Sequence, residues 1–184
     1  MTSEKDVKIE NIGLAVFNGG TLVGELNAIE TICHLLITND LNTCSIAIPD
    51  PSNEEKSLSL FLSISDKNKI EVDLLNGTPY INIKVFTKAR ILSISKDSKY
   101  LNEENLDKIE QYANSYLESN ISNYLYKTSK EFNSDISGIG KYAVKKFLTQ
   151  QSWNDYNWQD NYRNAFFNVE VTTVIKSSYM LSET

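Results

Sequence analysis

The feature that most limits what this chain can become is an apolar stripe between Leu101 and Phe132. Leu106, Ile109, Ala113, Tyr116, Leu117, Ile121, Tyr124, Leu125 and Thr128 recur at steps of three and four. That spacing gathers them on one side of an α-helix and scatters them on a strand. Roughly 30 residues at about 1.5 Å each predict a helix about 45 Å long, enough to cross a whole sheet. The ends carry matching signals. Asn102 stands at the N-cap, and Leu101 and Leu106 have the spacing of a hydrophobic staple. Glu103 and Glu104 sit where the helix dipole favours negative charge, and Lys127 and Lys130 where it favours positive charge. Such a helix, predicted over Asn102–Glu131, needs an apolar surface to lie on.

The stretch before it supplies one, because there the period changes to two. Cys44, Ile46 and Ile48 alternate with smaller residues until Pro49-Asp50-Pro51-Ser52-Asn53 stops the strand. Leu58, Leu60, Leu62 and Ile64 share one face of the next strand, with Ser57, Ser59, Ser63 and Ser65 on the other. Ile70, Val72 and Leu74 repeat the alternation, and Asn76-Gly77 signals a turn before Ile81, Ile83 and Val85. Strands with one oily and one polar face predict an antiparallel sheet wetted on one side. Upstream, Val7–Phe17, Asn18-Gly19-Gly20 and Thr21–Gly24 read as a β-hairpin. Asn27 with Glu30 resembles a capping box opening a short helix, on which Ile29, Ile32, Cys33 and Leu36 are spaced, ending near Thr38-Asn39-Asp40. Downstream, Asn133-Ser134-Asp135 breaks the long helix. A shorter helical stretch follows at about Lys141 to Leu148, then an aromatic segment from Trp153 to Tyr162. Phe167, Val169, Val171, Thr173 and Ile175 make a closing strand. With no internal repeat and no linker, residues 1–184 read as a single α+β domain, an antiparallel sheet covered on one face by a long helix plus shorter helices.

Composition narrows the function classes. A formal charge of −6 argues against nucleic acid, whose binders need a basic face. No apolar run reaches the 18–20 residues of a spanning helix. Cys33 and Cys44 have no zinc spacing and leave open either one bridge or two small buried thiols. His34 is the one histidine of the chain, which strains most histidine-dependent catalysis. Gly138-Ile139-Gly140 lacks both the lysine of a P-loop and the spacing of a dinucleotide loop. Glu54-Glu55, read as a solvated loop, and Glu103-Glu104, read as a helix start, are adjacent pairs and cannot face each other across a cleft. Asp155 and Asp160, with Asn154, Asn157 and Asn161, lack the ordered spacing of a calcium loop. The expectation is no catalytic residue, no metal and no cofactor.

The aromatic segment is the more suggestive feature. Trp153, Tyr156, Trp158 and Tyr162 fall within ten residues, interleaved with Asn, Asp and Gln. Amphipathic rings of this kind are enriched in protein interfaces, which makes these four the candidate partner contact. The competing reading is that the rings clamp the segment onto the sheet.

Three motifs together carry a family resemblance. Gly13-Leu-Ala-Val-Phe17, then Leu22-Val-Gly-Glu-Leu26-Asn27 with Glu30-Thr31, resembles an "AVF…LVG-L-x-x-E-T" opening. Phe132-Asn-Ser-Asp135-Ile-Ser-Gly138-Ile-Gly140, after the long helix, is similar to "SDIFGFG". Asn168-Val-Glu-Val171 is similar to a closing "VEV-V-V-I". In this order, over about Ile12 to Ile175, they resemble the C-terminal domain of the C subunit of bacterial spore germination receptors, the Ger(x)C lipoproteins. Departures are local. Glu25 stands where the family often has tryptophan, Ser137 where it has an aromatic, and Ser177-Ser178-Tyr179 where it has a basic "R-T-G".

The resemblance implies a nutrient germinant receptor subunit on the outer face of the spore inner membrane. It would be held there by an N-terminal lipid anchor and an upstream domain, both absent from this chain. It implies A- and B-type membrane subunits as partners, with scaffolding or signal relay through protein contacts in place of catalysis. The alternative is a small-molecule-binding or hydrolase-like enzyme domain assembled from Asp135, His34 and scattered serines. That reading requires a concave site with convergent polar groups.

Overall fold

The computed structural model describes residues 13–50, 53–93 and 103–175. The staple and N-cap at Leu101 and Asn102, the start of the hairpin before residue 13, and Ser177-Ser178-Tyr179 lie outside the described residues, as do the side chains of Glu54, Glu55, Glu103 and Glu104.

The first described elements are two strands, β1 (Leu14–Asn18) and β2 (Thr21–Leu26), paired antiparallel as a separate two-stranded sheet. Helix α1 (Ala28–Thr38) follows on the expected capping box: the Asn27 side chain accepts from the Glu30 N–H at 2.9 Å, and the Glu30 carboxylate accepts from the Asn27 N–H at 2.8 Å. Asn39 ends the helix in the left-handed region at φ 63°. Lys127 donates to both Glu30 carboxylate oxygens at 2.9 Å and to the Glu25 carbonyl at 3.0 Å, so the cap of α1 is tied to the far end of the long helix.

The main sheet runs in the order β3 (Cys44–Asp50), β4 (Asn53–Leu75), β5 (Thr78–Ser93), β6 (Phe166–Ile175). Two expectations change here. The strands read separately at Leu58–Ile64 and Ile70–Leu74 are one strand, β4, which also takes in the backbone of Glu54 and Glu55. Its register shifts between Ile64 and Asp66 and again between Asp66 and Lys69. The irregularity serves α1. Asn68 donates its side-chain amide to the Leu36 and Ile37 carbonyls, and its own N–H goes to the Asn39 side chain at 2.9 Å. Second, the sheet is not antiparallel throughout: β5 and β6 run parallel. Parallel neighbours need a crossover connection, and everything between Ser93 and Phe166 provides it.

Helix α2 (Glu103–Lys130) spans 28 residues and buries the predicted stripe: Ala113, Leu117, Ile121, Tyr124 and Leu125 are fully buried. They meet Leu60, Leu62, Ile81, Ile83 and Val85 in one core. The helix does not lie straight across the sheet. Its contacts concentrate on β6, to which it runs antiparallel. Glu118 accepts the N–H of Val171 at 2.9 Å, Asn114 that of Thr173 at 2.8 Å, and Glu110 that of Ile175 at 2.6 Å. Four helical residues rise about 6.0 Å, and two strand residues about 6.6 Å. The two periods therefore match, and three side chains spaced by four close an edge that would otherwise template foreign strands.

After α2 the helices are short: α3 (Gly140–Ala143), continued by a 3₁₀ turn at Val144–Lys146, then α4 (Gln150–Tyr156) and α5 (Trp158–Tyr162). The helical stretch expected over Lys141 to Leu148 is thus present through Lys146, as one α-helical turn passing into a 3₁₀ turn. The aromatic segment is two helices hinged at Asn157, whose φ is 49°.

Candidate functional site

The Asp135–Gly140 turn brings together some of the residues singled out from the sequence, the glycine motif and Trp158. Asp135 is its centre. One carboxylate oxygen accepts the Ile139 N–H at 2.8 Å; the other accepts the Gly140 N–H at 2.6 Å and the Trp158 indole N–H at 2.9 Å. Gly138 lies at φ 66°, a conformation side chains disfavour. A Cβ on Gly140 would stand 2.8 Å from the Trp158 indole nitrogen. Asp135, Gly138 and Gly140 therefore each have a structural duty, closing the turn and seating one tryptophan against it. The helix it opens has four residues, and all three donors on Asp135 come from the chain itself.

The four candidate contact residues divide. Trp158 is 8 % exposed and Tyr162 fully buried, so these two are core residues and offer no open surface here. The aromatics interleaved with polar residues looked like a surface because α5 is too short to show a stripe. Asp160 faces outward, Gln159 and Asn161 are half-buried against the Asn133 and Tyr156 carbonyls, and Trp158 and Tyr162 face in. Trp153 and Tyr156 are half-buried, packed against the edge of the core. Rings connect them to the core: Trp153 stacks on Trp158 with centroids 5.9 Å apart, and Trp158 meets Tyr162 at 5.5 Å. Phe147 lies 5.3 Å from Trp153 and 4.9 Å from Tyr156. The Tyr156 hydroxyl donates to the Gly77 carbonyl at 2.7 Å, fastening α4 to the β4–β5 turn. Beside this edge Leu148 is wholly exposed, and Tyr80 stacks on Phe166, 53 % exposed, at 5.0 Å.

His34 is neither exposed nor isolated. Its Nδ1 lies 2.8 Å from the Tyr124 hydroxyl, which lies 2.7 Å from the Ser137 hydroxyl. Burial pushes the imidazole below its ordinary pKa and the Tyr124 phenol above its own. Tyr124 is interposed between serine and histidine, so Ser137 does not have the imidazole as its direct base, as a serine–histidine nucleophile pair requires, and the hydroxyl bonded to the ring is a buried phenol. Surface depressions lined by Gly13, Glu25 and Lys127, by Phe61, Lys88 and Arg90, and by Lys108 and Tyr112 all lie elsewhere.

The remaining chemical candidates have local partners. Asp155 accepts from Gln151 at 2.7 Å and Asp160 from the Asn157 side chain. Among the described residues no three of His, Cys, Asp or Glu are grouped as metal ligands. Cys33 and Cys44 are unbridged, and burial raises their thiols to about 12 and about 11. Sequence reasoning missed Asn68 and the Glu110–Asn114–Glu118 row. The row had a signal, three acceptors at a spacing of four beside the buried stripe.

The Asp135–Gly140 turn, the long helix before it and the closing strand belong to one sequence pattern. Residues 12–179 match the family described as Spore germination B3/GerAC like, C-terminal. The chain belongs to this family. Its sequence is also similar to spore germination protein GerQC of Bacillus cereus, 21% identical over 182 residues, covering 97% of this chain and 48% of that protein. Its fold is similar to the crystal structure of the GerBC protein, with a TM-score of 0.71 and 19% identity over 90% of this chain and 50% of that one. The likeness to GerBC establishes a shared α+β fold. This chain spans about half the length of both relatives. Neither the family's description nor either relative's name carries an enzymatic activity. Among the described residues no helix is long and apolar enough to cross a membrane.

Proposed function

We propose that this chain is the C-terminal domain of a nutrient germinant receptor C subunit and acts in spore germination through protein contacts, without catalysis. The observation that carries the reading is the family match over residues 12–179. Supporting it, the conspicuous polar groups are used internally: Asp135 holds a turn, His34 and Ser137 meet only through Tyr124, and Glu110 and Glu118 cap a strand. In this account an upstream domain and a lipid anchor hold the subunit on the outer face of the spore inner membrane. A- and B-type membrane subunits receive its contacts. The contact surface is the half-open aromatic edge at Trp153 and Tyr156, where the rings are half-buried and held in place by Phe147 and the Gly77 carbonyl. Rigid, partly desolvated aromatics are the residues that concentrate interface energy.

The test is genetic. Spores whose gene for the parent protein lacks residues 13–175 should fail to respond to the nutrient germinant while the truncated protein still accumulates. A normal response from those spores would overturn the proposal.

A further inference from the structure

The solvent face of the main sheet carries two cations for which no ion pair exists among the described residues. On β5 the residues facing away from the core include Lys84, Phe86, Lys88 and Arg90, and the strand has no carboxylate. Toward the Gly77 end, charges on this face are matched: Lys84 pairs with Glu170 at 2.7 Å and Lys146 with Asp73 at 3.0 Å. Lys69 lies over the Phe86 ring at 5.7 Å. Lys88 and Arg90 differ. Both are exposed, and neither has an ion pair among the described residues.

Their surroundings are shaped. Lys88 is directly opposite Ser63 and Arg90 opposite Phe61, with Ser45 beyond Phe61 on β3. The Arg90 guanidinium sits over the Phe61 ring, 5.2 Å from its centroid, a cation–π contact that favours this position. Asn42 and Thr43 rise on the other side, closing a depression of about 490 Å³ with Phe61, Ser63, Lys88 and Arg90.

We propose that this depression is a docking site for an acidic segment of a protein partner, whose carboxylates pair with Lys88 and Arg90. A planar guanidinium offers a carboxylate two parallel donors, and the neighbouring ammonium and Ser63 hydroxyl serve a second acid or the peptide backbone. The chain's charge of −6 disfavours polyanions that must lie against a broad surface. An anionic bilayer would bring Glu71, Asp73 and Glu170 on the same face close to its own charge, and nucleic acid needs a longer basic track. A short acidic segment entering a local depression meets neither obstacle. The site is separate from the aromatic edge and does not depend on the germination role.

The test uses the whole 184-residue chain and a hexaglutamate peptide as probe, followed by backbone amide shifts at low salt. Expected are saturable shifts confined to residues around 61–63 and 88–90. K88Q/R90Q should abolish them with an unchanged melting temperature. K141Q/K145Q, an equal charge change at exposed lysines elsewhere, should leave them intact. Three results would overturn the proposal. The first is binding that survives K88Q/R90Q. The second is equal loss in both double variants, which would mean general charge attraction. The third is inorganic phosphate, or phosphatidylglycerol vesicles, shifting the same residues while the peptide does not.

Discussion

At the scale of single residues, the aromatic segment separates by depth. Trp158 fills a buried site, donates to Asp135 and stacks between Trp153 and Tyr162. Trp158→Ala should cost about 3–5 kcal/mol in urea unfolding, typical of emptying a large buried aromatic site; a loss under about 1 kcal/mol would mean that the indole is not packed. His34 gives a pH dependence. A neutral imidazole accepts from Tyr124 when Ser137 donates to Tyr124, and protonation removes that acceptor. Burial lowers the folded pKa below the unfolded value near 6.5. The unfolded chain therefore binds the proton first. The contribution is fully present above about pH 6.5 and is lost as pH falls through the lower folded pKa. His34→Gln should flatten the fall in unfolding midpoint between pH 7 and pH 5; an unchanged slope would show that His34 does not contribute. Glycine at 138 and 140 was visible in the sequence as a motif. Its reason was not, because the atom that Gly140 must admit belongs to Trp158, eighteen positions away.

At the scale of elements, α2 was the clearest reading and α2 against β6 the least clear. A stripe at steps of three and four reports burial of one helix side whatever lies beneath it, so the helix could be found and its direction across the sheet could not. Leu117, fully buried, tests the packing: Leu117→Ala should cost about 2–5 kcal/mol, read from urea unfolding, by lost burial and a residual cavity. A cost below about 0.5 kcal/mol would contradict it. The edge-sealing row has its own signature. Asn114→Ala leaves the buried Thr173 N–H without its 2.8 Å acceptor, and an unsatisfied buried donor costs about 1–3 kcal/mol. Asn114→Asp keeps an acceptor and should lose less; equal losses from both would show that the oxygen is not what matters. Parallel pairing of β5 with β6 was hidden for a similar reason. Alternation shows which face is buried, not which way the neighbour runs. The irregularity in β4 was hidden because Ser65 to Lys69 is polar and looks like a break between strands, while Asn68 uses it to cap α1.

For the whole molecule, the central claim is that a fold of the GerAC-like C-terminal family works by contact at the Trp153–Tyr156 edge. The family was legible because its motifs sit at structural turning points, the hairpin, the end of α2 and the closing strand. The division between buried and open aromatics was not, since it depends on how α4 and α5 fold back on the sheet. The most direct measurement compares Trp153→Ala with Trp158→Ala, each placed in the full-length parent protein in spores. Its readouts are the unfolding midpoint of the chain and the rate of response to nutrient. Trp153 is half-buried, so its removal should cost less than that of Trp158, about 1–2 kcal/mol, and leave a folded domain whose spores respond slowly or not at all. A normal response with Trp153→Ala, at an undiminished level of folded protein, would contradict the claim.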